Sequence, residues 1–122
     1  MTAPPVDPAP QDVVVQIVVA PDGCTITVDG DVDAAGAPRL GERLLEVLGR
    51  PDVTDVELDL TGVTYLGAAG LKTLVIAHQA AERTGRRLTI RCGTSRAVLR
   101  SLHITGLSTV FSIVDLSLIH IS

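Results

Sequence analysis

Val56-Glu57-Leu58-Asp59-Leu60 alternates apolar and acidic side chains. It leads through Thr61-Gly62 into Val63-Thr64-Tyr65-Leu66-Gly67-Ala68-Ala69-Gly70-Leu71, where small residues precede a helical pattern. A period of two puts Val56, Leu58 and Leu60 on one face of a strand and Glu57 and Asp59 on the other. Strands covered by helices on both faces read as continuous apolar runs, so this strand belongs to a sheet with one face largely free of helices. The small residues after it keep a helix N-terminus open, with backbone N–H groups facing outward under a positive partial charge. Between Gly67 and Leu71 there is no Ser, Cys, His, Asp, Glu or Lys, hence no nucleophile, base or charge. The turn reads as a place of recognition rather than catalysis.

Outward from this point the same alternation recurs in Cys24-Thr25-Ile26-Thr27-Val28-Asp29 and in Arg87-Leu88-Thr89-Ile90-Arg91. A first strand is expected at about Val13–Val19, joined to the second by the hairpin signal Pro21-Asp22-Gly23. Its near-continuous valines fit the alternation poorly. A first helix is expected over roughly Ala35–Leu48, with Ala37, Leu40, Leu44, Val47 and Leu48 on one face. Pro38 lacks an N–H and must lie in the first turn, which puts the cap at Ala34 or Ala35. Asp33 then precedes the cap, its carboxylate near the helix dipole and not consumed by capping. Gly49 and Pro51 end this helix.

A second helix is expected over about Ala69–Thr84, burying Leu71, Leu74, Val75, His78 and Ala81 and stopping at Gly85. Ser95 caps a third of about Arg96–Leu102, closed near Gly106, and Thr109–Val114 reads as a fifth strand. The order is ββαβαβαβ: an α/β fold with a mixed, mostly parallel sheet of about five strands. Right-handed crossovers that always step the same way put the helices on one face. That favours a β–α superhelix over a doubly wound nucleotide-binding sheet.

The chain has 122 residues, enough for one domain, and is 46% hydrophobic with one Phe, one Tyr and no Trp. Its core must come from Val, Leu, Ile and Ala. A net charge of −4, from ten Lys+Arg and fourteen Asp+Glu, argues against a nucleic-acid footprint. No apolar run approaches the ~20 residues that span a bilayer, so no membrane insertion is expected. There is no secretory signal pattern, and two distant cysteines, Cys24 and Cys92, fit reduced thiols in a cytoplasmic protein. Met1 to Pro10 carries four prolines, and residues 1–12 are expected to form a disordered leader to a domain over 13–114.

Several motifs in order carry a family resemblance. Gly30-Asp31-Val32-Asp33-Ala34-Ala35-Gly36-Ala37-Pro38-Arg39-Leu40 resembles the segment of STAS domains that follows their second strand. Asp59 to Leu66 is similar to the strand before their signature loop, and Thr105-Gly106-Leu107 with Val110-Phe111 to their ending. The resemblance covers roughly Val13 to Val114 and points to the anti-sigma factor antagonists of bacteria. It implies the STAS fold, no cofactor, and a protein partner that is both serine kinase and anti-sigma factor. In that family the loop carries an acid and a hydroxyl residue that the partner phosphorylates, and the phosphate blocks binding.

The matching residues here are Gly67, Ala68, Ala69, Gly70 and Leu71, of which only Gly70 and Leu71 match. Ala68 stands at the phosphorylated position and has no oxygen to modify, and Gly67 supplies no carboxylate. Asp33 matches the family acid that lies near the phosphorylation site. The resemblance therefore implies partner contacts at Asp33, Gly67, Ala68, Ala69, Gly70 and Leu71, without the switch. A phosphate would add about −1.5 to −2 charges, and that control cannot operate at Ala68. The alternative is a STAS scaffold or small subunit in a multi-STAS signalling complex or a lipid-transport system.

The remaining polar residues have ordinary explanations. His78 lies in an apolar stripe and reads as packed. His103 and His120 have no metal-ligand spacing around them, and no metal site is expected. Thr64 and Thr73 read as a strand-end hydroxyl and a helix-surface residue. Arg83, Arg86 and Arg87 read as compensation of a helix dipole. No set of residues assembles a catalytic constellation, so the chain is not expected to be an enzyme. The tail, residues 115–122, has apolar positions that fit no clean helical face where the family has a closing helix. It resembles translated adapter sequence, and its last residues are expected not to be native.

Overall fold

The computed structural model describes residues 13–21 and 23–113. Strand β1 (Val14–Ala20) and strand β2 (Gly23–Val32) form the opening hairpin, followed by helix α1 (Ala37–Leu48) and strand β3 (Asp55–Leu66). Helix α2 (Ala68–Thr84), strand β4 (Arg87–Arg91), helix α3 (Arg96–Thr105), a 3-10 turn (Leu107–Thr109) and strand β5 (Ser112–Ile113) complete the order.

The strands lie side by side in chain order, β1-β2-β3-β4-β5. Only β1–β2 is antiparallel, and the three pairs that follow are parallel. Each crossover advances the sheet by one strand in the same direction, so one handedness puts all three helices on one side. The burial follows from this. Ile26, Leu58 and Ile90 form a row by register and are buried together with Leu40 and Leu44 of α1, Leu74, Ala77 and Ala81 of α2, and Val98 and Leu102 of α3. The other face carries Thr27, Glu57, Asp59, Thr89 and Arg91, with Glu57 Oε2 accepting from Arg91 Nε at 2.6 Å. Among the described residues the alternation therefore matches a sheet with helices on one face, and the core is aliphatic apart from Phe111 and the thiols Cys24 and Cys92.

The valines of β1 are explained by its place at the sheet edge. Val15 and Ile17 pack on the core, while Val14 and Val18 are exposed on the open face.

Several boundaries differ from expectation for identifiable reasons. Helix α1 is regular only from Ala37, capped by Gly36 rather than Ala34 or Ala35. A turn bonded from Ala37 N to Asp33 O at 2.8 Å precedes it. Helix α2 starts one residue early, at Ala68, and its buried stripe is Gly70, Leu74, Ala77, Ala80 and Ala81. Leu71, Val75 and His78 are only half-buried, and Leu71 and Val75 pack against the margin of the core, whose centre Leu74 reaches. His78 meets the edge of Phe111, ring centroids 5.7 Å apart, as a packed histidine does.

Helix α3 continues past Leu102 to Thr105 before the left-handed Gly106. Thr109 lies in the 3-10 turn rather than in β5, since Leu107 O accepts from both Val110 N and Phe111 N. Arg86 closes the ends of two helices, donating to Thr84 O and to Arg50 O. The proline-rich leader, Asp22, Val114, the 115–122 tail and His120 lie outside the described residues. Among the described residues no helix is long and apolar enough to cross a membrane.

Candidate functional site

Strand β3 is long because it outruns its neighbour. It pairs with β4 only over Asp55–Asp59, whereas with β2 it pairs from Val56 to Leu66. The overhang Thr61–Leu66 would leave carbonyls on the β4 side without a strand to receive. Two serine hydroxyls take that place: Ser95 Oγ donates to Val63 O at 2.7 Å and Ser101 Oγ to Leu66 O at 2.9 Å. Ser95 also accepts from Val98 N, capping α3 as its position predicts. On the β2 side, Thr64 Oγ1 donates to Asp31 Oδ1 at 2.5 Å, and Gly67 N donates to Val32 O at 3.0 Å. The turn into α2 is thus fixed from both flanks.

Gly67 is the N-cap of α2, in extended conformation, and no side chain caps this end. Ala68 is exposed, and Gly67, Ala69 and Leu71 are half-buried. Gly70 is buried, so among the loop residues it contributes shape rather than surface: a Cβ there would stand 2.6 Å from Leu66 Cδ1 and 2.7 Å from Val32 Cγ1. Thr73 hydrogen-bonds inward, its hydroxyl donating to Ala69 O at 3.0 Å.

Asp33 follows Val32 directly, so its turn leaves the same end of the sheet as the Gly67 turn. Its carboxylate is engaged, contrary to expectation. Asp33 Oδ1 accepts from Ala35 N at 3.1 Å and from Gly36 N at 2.9 Å. Pro38 displaces the regular helix toward Ala37, and the irregular turn that remains needs an acceptor for its amides. Asp33 supplies it.

The side chain that sequence reasoning missed is Tyr65. It is 51% exposed, and its ring edge and hydroxyl lie 2.9 Å from where a Cβ on Gly67 would be. An exposed aromatic over a small-residue turn is the kind of group that anchors protein contacts. The available signal was its place as the one tyrosine, two residues before the turn. Chemically the site offers a helix N-terminus, a methyl group and an aromatic ring. Among the described residues no group of three or more metal-ligating side chains occurs.

Comparison with known proteins bears on the fold. An anti-sigma factor antagonist from Mycobacterium paratuberculosis superposes with a TM-score of 0.77 at 23% identity, covering 92% of this chain and 96% of that one. The anti-sigma factor antagonist SpoIIAA in its unphosphorylated form gives 0.68 at 14% identity, covering 82% and 87%. The Bacillus cell fate determinant SpoIIAA in its phosphorylated form gives 0.64 at 12%, covering 89% and 100%. At such identities these likenesses establish a shared fold. The family model described as Mlab, STAS domain, matches residues 15–117, and the chain belongs to the STAS domain family.

Proposed function

We propose that this chain is an anti-sigma factor antagonist-like protein that binds an anti-sigma factor of the serine kinase type, and so regulates sigma-factor-dependent transcription in a bacterial cytoplasm. The observation that carries the reading is the exposed Ala68 methyl at the uncapped N-terminus of α2, at the position that the family resemblance assigns to a phosphorylated hydroxyl. The surface for the partner is Asp33, Gly67, Ala68, Ala69 and Leu71, with Gly70 holding the loop's shape and Tyr65 flanking it. A loop without hydroxyl or carboxylate binds without being switched at Ala68. The function is binding, not catalysis.

The test is to mix the full chain with candidate anti-sigma kinases and ATP. Binding with no phosphate on the loop is expected. Phosphate on any loop residue, or no binding to any such kinase, would overturn the proposal.

A second reading is a STAS scaffold or small subunit of another assembly, such as a multi-STAS signalling complex or a lipid-transport system. What favours it is that the matching family model is described as Mlab rather than as an antagonist. Co-purification from the native host with a transport or multi-STAS complex, and not with an anti-sigma kinase, distinguishes the two.

A further inference from the structure

We infer that β1 is a self-association edge at which a second copy of this chain adds its own β1 antiparallel, joining two five-stranded sheets into one. Edge strands in monomeric proteins are normally blunted by charge, proline, a bulge or shortness, because their outer backbone groups are a template for another strand. Strand β1, Val14-Val15-Gln16-Ile17-Val18-Val19-Ala20, has no charged residue and no proline. It runs residue for residue against β2 from Val14 to Ala20 with no register shift. The opposite edge, β5, spans two described residues. The charges of the open face stand on β2, β3 and β4, at Asp29, Asp55, Glu57, Asp59, Arg87 and Arg91. None stands on β1.

The apolar surface lies on both faces of this edge. Val14 and Val18 are exposed on the open face, and Val19 on the helix side. A helix or a lipid surface would cover one face only; a strand continuing the sheet covers both and pairs the backbone as well.

The occupant that the charge pattern selects is β1 itself. Full overlap of this seven-residue strand with its two-fold copy is centred on Ile17. Val14 then stands opposite Ala20 of the second copy, Val15 opposite its Val19, and Gln16 opposite its Val18. A two-fold places every residue against its own strand, so any charge risks a like-charge pair. An uncharged strand creates none. The chains each carry a net charge of −4, so added salt should strengthen the association by screening their mutual repulsion.

The test is sedimentation equilibrium of the full chain up to on the order of 1 mM. The expected mass rises toward twice that of the chain, more readily at high salt, and the outward amides of β1 gain hydrogen-exchange protection with concentration. Gln16→Lys with Val18→Lys puts lysines directly opposite one another in the dimer while facing only Thr27 and Thr25 within the monomer. It should return the mass to that of one chain. Gln16→Lys with Val18→Glu makes the same positions complementary and should restore the dimer. A native chain that stays monomeric throughout overturns the inference. So does a dimer indifferent to the double-lysine change, or one whose β1 amides gain no protection with concentration; this last readout needs no variant to fold.

Discussion

Gly70, in the first turn of α2, is pressed against Val32 at the end of β2: a Cβ on Gly70 would stand 2.7 Å from Val32 Cγ1 and 3.1 Å from Val32 O. The carbonyl belongs to a paired strand and cannot yield as a side-chain tip can. Gly70→Ala should therefore destabilise the chain although alanine is the better helix former. Overpacking costs roughly 1–3 kcal/mol against a helix-propensity gain of about 1 kcal/mol, leaving a net loss of up to about 2 kcal/mol. Urea denaturation reads it, and a midpoint at or above that of the native chain would show that helix and sheet part freely.

Asp33 has a structural task that separates it from a simple charge. Asp33→Ala removes the acceptor for two backbone amides and should cost about 1 kcal/mol. Asp33→Asn keeps an oxygen there and should be close to neutral in stability. In a binding assay, loss with alanine and retention with asparagine would mean that Asp33 acts by shaping the turn. Loss with both would mean that the partner reads its charge.

The proposed function makes a prediction about the absent hydroxyl. Ala68→Ser alone should be phosphorylated weakly by a cognate kinase, since Gly67 still lacks a carboxylate. Gly67→Asp with Ala68→Ser should be phosphorylated well. The aspartate meets Tyr65 at 2.9 Å, but that ring is half-exposed and can swing outward, and aspartate is a good N-cap. The double variant should stay within about 1 kcal/mol of the native stability. Phosphorylation is followed by intact mass; efficient modification of Ala68→Ser by itself would show the acid to be dispensable.

Cys24 gives a pH dependence. Burial pushes its thiol above the ordinary value, with the charge of Arg50 opposing more weakly. A raised folded value means that the native state holds the proton longer than the unfolded chain. The contribution is fully present below the unfolded thiol's value and is lost as pH rises through the folded one. Stability should therefore fall on the alkaline side, less so in Cys24→Ala once its cavity cost is subtracted. Thermal melts from neutral to alkaline pH check the slope, and equal slopes in both proteins would contradict it.

Much of the fold was legible because the alternation in β2, β3 and β4 reports burial on one face, and burial on one face with ordered crossovers leaves few topologies. The site was less so. The small-residue turn was visible as sequence, but the engagement of Asp33 depends on where Pro38 lets the helix become regular. The burial of Gly70 depends on Val32, which is 38 positions away. Tyr65 reads as a strand aromatic until the Gly67 backbone is found beneath it. In α2 the expected Leu74 and Ala81 are fully buried, but Ala77 and Ala80 are buried ahead of Leu71, Val75 and His78, because large apolar side chains weigh most in a periodicity and small ones are overlooked.

The serine hydroxyls that complete the β3 overhang bear on the order in which the protein is made. A nascent chain that has emerged through Thr84 already contains the whole Gly67–Leu71 turn, but not Ser95 or Ser101, which hold the strand leading into it. The surface proposed for the partner gains its second flank only when the C-terminal third has been synthesised and has docked. A product truncated at Thr84 keeps the β2-side bonds of the turn but lacks the two that hold the other flank of the strand, so the loop is held from one side only until the chain is complete.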